Sequence, residues 1–293
     1  MQIIEKDKGR IILTSPAKIN LFLKLIKKRD DGYHNILTLM QKISLCDLIT
    51  LKKNTKDPFL ELKTNLSGVP EKDNLAFRAA EMFFENAGLS PNVKIVLEKH
   101  IPVGGGLGGG SSNAASVLYG LNRLYGFPLS LKNLYEIAVL LGADVAFFLK
   151  KGSWILKGRG DVFIRKVASK PFYYLLFNFG KSSHTKTVYA KSRCSQHPDI
   201  KNVSSVVKGL QEGKVFLLKR KIANDLLAPF LNVYPEQREI FIDLKKKMCK
   251  NLFLSGSGAT LFSIFYNKEL MRRAFFCLDN QTKKYVTTVK GLK

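Results

Sequence analysis

The sequence predicts an α+β fold organised as two domains, and three observations indicate it. Strand patterns come first along the chain, and helical patterns mixed with a hairpin pattern follow. This segregation is typical of α+β domains rather than of alternating parallel units. The length of 293 residues and the 45% hydrophobic content suffice for two domains with real cores. We place the domains at residues 1–165 and 166–293.

The strands of the N-terminal half follow from the spacing of apolar side chains. Residues 11–26 alternate, which predicts a strand that carries Lys18 and Asn20 on one face. Further strand patterns cover residues 39–51, 93–99 and 153–157.

The helices have recognisable ends. One helix begins after a cap at Asp73 or Asn74 and stops at Gly88, and another runs from a cap at Ser130 to Gly142. The C-terminal half is predicted to contain two or three helices in 203–250, a helix at 268–277, and strands at 172–179, 252–255, 259–266 and 285–289.

A glycine-rich run between a strand pattern and a helical pattern is the most informative feature of the chain. Six of the seven residues from Gly104 to Gly110 are glycine, so the backbone can adopt positive φ and a bulky anion can come close. The first amides of the following helix lack internal partners and lie at the positive end of its dipole. We therefore predict a phosphate-binding loop rather than a flexible linker, although no lysine follows it as in a P-loop. Its residues are Pro102, Val103, Gly104, Gly105, Gly106, Leu107, Gly108, Gly109, Gly110, Ser111 and Ser112.

Three further segments carry side chains suited to chemistry. Lys18 and Asn20 share a strand face, which is either a solvated surface or part of a site. The Asp-Gly turn before Tyr33 and His34 would present a ring and an imidazole together, which suits stacking and edge recognition of a base, and an incidental pair is the alternative. Asp144 follows a helix end and precedes an apolar run, so it is either a cap or a base in a poorly hydrated pocket.

The chain is strongly basic, with a formal net charge of +25. Its basic clusters are dispersed and no nucleic-acid-binding motif accompanies them. We therefore favour solvated surfaces that attract polyanionic nucleotides over a nucleic-acid site. The four cysteines form no metal or disulfide pattern, and neither a signal peptide nor a membrane span is predicted. These features predict a cytoplasmic protein with reduced thiols and no membrane partner.

Together these motifs resemble one kinase family. The glycine-rich loop is similar to that of small-molecule kinases related to galactokinase, homoserine kinase and mevalonate kinase. Within that superfamily, the order and form of the motifs resemble the 4-diphosphocytidyl-2-C-methyl-D-erythritol kinases, although Ala146 stands where that family usually has proline. The similar segments are Pro16–Leu23, Asp31–His34, Gly104–Ala115, Leu141–Val145, Asn224–Leu226 and Ser255–Gly258.

The resemblance implies a fold and a reaction. The N-terminal domain would be like the second domain of ribosomal protein S5, and the C-terminal domain would be ferredoxin-like. The implied reaction is ATP-dependent phosphorylation of the 2-hydroxyl of 4-diphosphocytidyl-2-C-methyl-D-erythritol. Mg²⁺ would accompany ATP, with no protein ligand identified for it. The protein would act on these small molecules as a monomer or weak homodimer.

The same resemblance implies roles for individual residues. Lys18 and Asp144 match the catalytic pair, and Lys99 and Asn74 would border the adenine pocket. Tyr189 would supply a second stacking ring for cytosine. The substrate-site residues would be Asn20, Tyr33, His34, Thr185 and Tyr189.

Two alternatives stay open at this point. Another kinase of the superfamily, acting on mevalonate or homoserine, would share the phosphate loop, but a base-recognition pair at Tyr33 and His34 argues against it. An RNA-binding protein would use the basic surface, but the dispersal of its charges argues against that function.

Overall fold

The structure is a computed structural model that describes residues 1–54, 59–66, 68–194 and 201–292. The chain forms two compact units, and neither unit is continuous in sequence. Unit 1 contains residues 1–17, 45–101 and 108–151, and unit 2 contains residues 18–44, 102–107 and 152–293. The contiguous domains that we place on either side of residue 166 stay a prediction.

The described residues form strands and helices that come in groups along the chain. The strands are β1 (Gln2–Lys6), β2 (Arg10–Lys28), β3 (His34–Lys53), β4 (Leu60–Thr64), β5 (Val93–Glu98), β6 (Ser153–Lys157), β7 (Val162–Val167), β8 (Tyr173–Phe177), β9 (Ala223–Asn224), β10 (Phe253–Leu254), β11 (Leu261–Phe265) and β12 (Val286–Lys290). The helices are α1 (Leu75–Ala87), α2 (Gly109–Leu124), α3 (Leu131–Leu141), α4 (Ala143–Leu149), α5 (Thr185–Ala190), α6 (Lys201–Glu212), α7 (Val215–Lys221), α8 (Leu227–Val233), α9 (Glu236–Lys247), α10 (Lys268–Phe276) and α11 (Asn280–Lys283).

Unit 1 packs helices on strands. Within it, β1 is antiparallel to the start of β2, the end of β3 is antiparallel to β5, and β4 joins β5 in parallel. Helices α1 and α4 each pack against α2 and α3. Gly120 lets α2 approach the strands closely, because a Cβ there would lie 2.5 Å from Leu51 Cδ1 and 3.1 Å from Leu13 Cδ2. This packing sets the position of the N-terminus of α2.

Unit 2 contains an antiparallel sheet in the order β10-β11-β8-β12. In the same unit, β6 pairs with the start of β3 and with β7, and β9 lies parallel to β2. Phe177 of β8, Phe230 of α8 and Leu244 of α9 belong to one buried cluster with Leu23 and Leu25 of β2. The cluster therefore joins β2 to the C-terminal helices.

The predicted elements of the N-terminal half are confirmed. Helix α1 is capped by Asn74, whose side chain accepts a hydrogen bond from Ala76 N at 3.0 Å, and it ends at Gly88 with a φ of 63°. Helix α3 is capped by Ser130 and ends before Gly142. Strands β2, β3, β5 and β6 overlap the runs where alternation predicts them.

The prediction of two or three helices in 203–250 is wrong, because α6, α7, α8 and α9 all overlap that range. Gly213, with a φ of 78°, separates α6 from α7, and β9 separates α7 from α8. The sequence pattern also does not predict α4, α5, β1, β4 and β7, because elements this short leave no clear periodicity. Among the described residues, no helix is long and apolar enough to cross a membrane.

Candidate active site

The predicted site residues divide between the two units. Unit 1 holds Asn74, Lys99, Gly108, Gly109, Gly110, Ser111, Ser112 and Asp144. Unit 2 holds Lys18, Asn20, Tyr33, His34, Pro102, Val103, Gly104, Gly105, Gly106, Leu107, Thr185 and Tyr189. The glycine-rich run itself thus contributes to both units.

In unit 1, the glycine-rich run ends in the first turn of α2. Gly108 precedes the helix with a left-handed φ of 69°, a conformation that favours glycine. The first internal hydrogen bond of the helix runs from Ser112 N to Gly108 O at 2.9 Å. The amides of Gly109, Gly110 and Ser111 therefore have no partner inside the helix and lie at the positive end of its dipole. This arrangement can bind phosphate oxygens.

The two residues predicted to border an adenine pocket lie near this turn. A Cβ on Gly109 would be 3.0 Å from Lys99 Nζ, and a Cβ on Gly110 would be 3.6 Å from Leu75 Cδ1. Asn74 precedes Leu75 and uses its side chain to cap α1. Unit 1 thus brings Lys99 and the start of α1 to the first turn of α2, while their role toward adenine stays a prediction.

A buried carboxylate that sequence reasoning missed organises the same region. Asp47 accepts hydrogen bonds from His100 N at 2.7 Å and from Ile101 N at 2.8 Å. It also accepts one from Asn113 Nδ2 at 2.8 Å and pairs with Lys99 Nζ. Asp47 therefore ties the segment that leads into the glycine-rich run to α2. The signal in the sequence is an acid within the largely apolar run Leu45–Leu51.

Asp144 lies in the first turn of α4, a helix that the sequence pattern does not predict. Gly142 precedes the helix, and Val145 and Ala146 beside the acid are buried. Because α4 packs against α2, the half-buried carboxylate lies on an element held against the predicted phosphate-binding helix. A carboxylate in such a setting can take a proton from a bound alcohol.

In unit 2, Lys18 and Asn20 form a buried polar chain. Their exposed fractions are 4% and 2%, so the alternative of a solvated strand face is wrong. Lys18 Nζ donates to Asn20 Oδ1 at 2.7 Å, and Asn20 Nδ2 donates to Thr38 Oγ1 at 2.8 Å. Thr38 Oγ1 in turn donates to Phe22 O at 2.8 Å. An ammonium oriented in this way can stabilise negative charge on reacting oxygens.

The first half of the glycine-rich run packs against a second loop of unit 2, residues 255–260. Thr260 N donates to Gly105 O at 3.1 Å. A Cβ on Gly106 would lie 2.2 Å from Ser255 O, and Gly106 also has a φ of 71°. The approach of an anion to these glycines stays a prediction, and the approach of the second loop also requires glycine here.

The turn before β3 leaves Tyr33 exposed and His34 buried. Tyr33 is 56% exposed, and the guanidinium of Arg159 lies 5.4 Å from its ring centroid. His34 is 8% exposed, and its ring centroid lies 5.3 Å from that of Tyr189. The ring that the structure places beside the His34 imidazole is therefore that of Tyr189.

The imidazole of His34 has an unsatisfied nitrogen. Nδ1 is buried and has no hydrogen-bond partner among the residues that the structure describes. Burial lowers the pKa of His34 below its usual value, and the charge of Lys28 adds to this effect. The neutral ring offers one donor and one acceptor, which suits the edge of a base.

Thr185 lies at the start of α5, the helix that carries Tyr189. Its Oγ1 lies 2.9 Å from Ser257 Oγ.

The central part of the chain matches the model of a known protein family. The family described as GHMP kinases N terminal domain matches residues 74–152. This segment contains the whole glycine-rich run, helix α2 and Asp144.

Two relatives and two solved structures extend the similarity over most of the chain. The chain is 39% identical to 4-diphosphocytidyl-2-C-methyl-D-erythritol kinase of Sulfurihydrogenibium sp. (strain YO3AOP1), over 86% of this chain and 90% of the relative. It is 36% identical to the protein of the same name from Alkaliphilus metalliredigens (strain QYMF), over 91% of each chain. A crystal structure of 4-(cytidine 5'-diphospho)-2C-methyl-D-erythritol kinase superposes with a TM-score of 0.77 at 29% identity, covering 96% of this chain and 99% of that one.

The second structure, a homoserine kinase from Cytophaga hutchinsonii, has a TM-score of 0.72 at 17% identity and covers 99% of this chain and 96% of that one. At that identity it shows the fold alone, and it confirms the predicted α+β kinase fold. The higher identities to the first relatives confirm the predicted family and do not favour the alternatives. With that identity and coverage, the chain belongs to the 4-diphosphocytidyl-2-C-methyl-D-erythritol kinases, a family of phosphotransferases.

Proposed function

We propose that this chain transfers the γ-phosphoryl group of ATP to the 2-hydroxyl of 4-diphosphocytidyl-2-C-methyl-D-erythritol, giving the 2-phosphate and ADP. The reaction would serve the non-mevalonate route to isoprenoid precursors in the cytoplasm. The observation that carries the proposal is the ring pair of His34 and Tyr189, together with the buried, unpartnered Nδ1 of His34 among the described residues. Homoserine and mevalonate contain no nucleobase, so their binding would not require a ring pair of this kind.

The phosphates of ATP are proposed to bind at the N-terminus of α2. The amides of Gly109, Gly110 and Ser111 would donate to phosphate oxygens there. Mg²⁺ would arrive as part of the nucleotide substrate, because phosphates supply most of its ligands. Within the described ranges, no group of three or more His, Cys, Asp and Glu side chains is placed to hold a metal ion.

Asp144 is proposed as the general base. A substrate hydroxyl is a poor nucleophile, and a positioned base typically contributes roughly 10²–10⁴-fold to its rate of attack. Lys18 would stabilise negative charge on the reacting oxygens. Positioning and charge neutralisation of the γ-phosphoryl group supply the remaining acceleration.

A direct assay tests the proposal. The purified protein with ATP, Mg²⁺ and the cytidyl substrate should release ADP and the 2-phosphate in equal amounts, whereas mevalonate and homoserine should release no ADP above background. ATP and CDP should each raise the melting temperature, because each binds the folded state alone. No turnover of the cytidyl substrate, or RNA binding in moderate salt without any shift by ATP and CDP, would overturn the proposal.

A further inference from the structure

Asn224 lies on β9, a two-residue strand that is held beside β2. The backbone pairing is parallel and joins Leu23 to Asn224. The next residue, Asp225, anchors this strand, since its carboxylate accepts from Leu25 N at 3.0 Å and from Lys24 Nζ at 2.7 Å. Asn224 therefore has a defined position next to the strand that carries the proposed catalytic lysine.

The carboxamide of Asn224 makes three hydrogen bonds to backbone groups. Oδ1 accepts from Leu226 N at 2.9 Å. Nδ2 donates to Leu254 O at 2.9 Å and to Gly256 O at 2.7 Å. The oxygen faces a donor and the nitrogen faces two acceptors, so a single amide orientation satisfies all three bonds. The side chain thus holds the backbone on both sides of Ser255.

Ser255 is fully buried and connects the glycine-rich run to β2. Its Oγ donates to Gly106 O at 3.0 Å and accepts from Asn20 N at 3.4 Å. A Cβ on Gly256 would lie 3.4 Å from Asn20 Oδ1 and 3.4 Å from Lys18 Nζ. The backbone that the carboxamide holds is therefore the surface against which the Lys18 ammonium lies.

We propose that Asn224 is a positioning residue for phosphoryl transfer, acting on Lys18 through the segment Ser255–Gly256. This inference rests on the proposed function. Removal of the carboxamide deprives two carbonyls of their donor and releases the segment that orients Lys18. Because Lys18 is proposed to stabilise charge that develops during phosphoryl transfer, misplacing its ammonium should lower kcat and leave KM unchanged.

The test compares Asn224→Ala with a matched control, Asn251→Ala. Asn251 is a buried asparagine of the same unit, and its carboxamide also bridges backbone groups, donating to Ile264 O at 2.8 Å and accepting from Ile264 N at 3.2 Å. Its partner lies on β11 rather than beside Lys18. Asn224→Ala should lower kcat at least about tenfold and change both KM values by less than about twofold. Asn251→Ala should lower the melting temperature and keep kcat within about twofold of the parent.

A second variant decides the matter when Asn224→Ala does not fold. Ser255→Ala removes one hydroxyl and should give the same selective loss of kcat. In the double variant, the loss should be smaller than the product of the single losses, since both residues act through one segment. Normal kcat in Asn224→Ala or Ser255→Ala, or an equal loss in Asn251→Ala, overturns the inference alone. An inactive parent protein overturns the proposed function and this inference together.

Discussion

Asp144 lies in the first turn of α4, which Gly142 precedes, and buried apolar residues follow the acid. Asp144→Asn keeps the size of the side chain and removes its capacity to take a proton. We expect kcat to fall at least about a hundredfold, while ATP and CDP still raise the melting temperature. Asp243→Asn is the control, because Asp243 is an exposed acid of α9 paired with Lys247. Near-normal turnover of Asp144→Asn would contradict its role as base.

Tyr189 and His34 form the ring pair that we assign to cytosine. Tyr189→Ala should weaken binding of the cytidyl substrate by roughly 1–3 kcal/mol, as when bases lose an aromatic stacking partner. The KM for ATP should be unchanged. Tyr285→Ala removes a comparable ring from its pair with Phe179, whose centroid lies 5.1 Å away, and should change neither KM. Steady-state kinetics with both substrates make the measurement.

His34 adds a pH dependence to recognition of the base. Since its pKa is lowered from 6.5, chiefly by burial, the imidazole stays neutral as the pH falls through that value. The KM for the cytidyl substrate should therefore stay constant through pH 6.5 and rise only at lower pH. His34→Ala should raise this KM, reduce the preference for cytidine over uridine and abolish the acid-side rise. An identical pH profile in the parent and His34→Ala would contradict recognition by the imidazole.

The glycine-rich run is one motif in the sequence, but its first half is a loop of unit 2 and its second half begins α2 of unit 1. Gly106 meets Ser255 O and therefore serves the packing of two loops in unit 2. Gly110 lies in the first turn of α2 in unit 1, where a Cβ would lie an ordinary 3.6 Å from Leu75 Cδ1. Two glycines that look equivalent in the sequence are thus required for different physical reasons.

Two substitutions separate these reasons. Gly106→Ala combines a positive φ with a close contact, so it should lower the free energy of unfolding by about 1–3 kcal/mol. Gly110→Ala fits the protein and should leave stability unchanged, but its methyl group should raise the dissociation constant for ATP several-fold by crowding the phosphate. Gly9→Ala, whose nearest atom would be 4.0 Å away, is the control for both. Denaturant unfolding and ATP titration check them, and equal ATP affinity in Gly110→Ala contradicts the predicted cradle.

At the scale of the whole molecule, Lys42 links stability to pH. Its side chain is buried, and burial lowers its pKa from 10.5 to about 7. Between pH 7 and pH 10.5, Lys42 therefore binds a proton more readily in the unfolded chain than in the folded one. The free-energy cost of burying its charge is fully present below pH 7 and disappears above pH 10.5.

Lys42→Met removes this cost. The substitution should raise the free energy of unfolding at both pH values. The increase should be larger near pH 6 than near pH 10 by a few kcal/mol, on the order expected for a pKa shift of this size. The exposed Lys132, which pairs with Glu136 at 3.9 Å, provides the control, and Lys132→Met should show no such difference. Denaturant unfolding at both pH values makes the comparison. An equal effect of Lys42→Met at both would contradict the buried charge.

Elements with local signals can be predicted from the amino-acid sequence alone. The cap at Asn74, the stop at Gly88 and the alternation along β2 depend on neighbouring residues, so they are readable without a fold. The motifs were similarly sufficient for the kinase family, because their residue types and order are specific. The short helix α4 escaped prediction, since seven residues carry too little periodicity.

Which side chains come into contact depends on the packing of the folded chain. Alternation predicts that Lys18 and Asn20 share a face, but burial of that face depends on Thr38 and on a loop more than two hundred residues away in sequence, which holds Ser255. The contact of His34 with Tyr189 is likewise set by a strand and a helix that are distant in the chain. Local patterns specify which way a side chain points, whereas its partners come from the packing of distant segments, whose energies no local pattern contains.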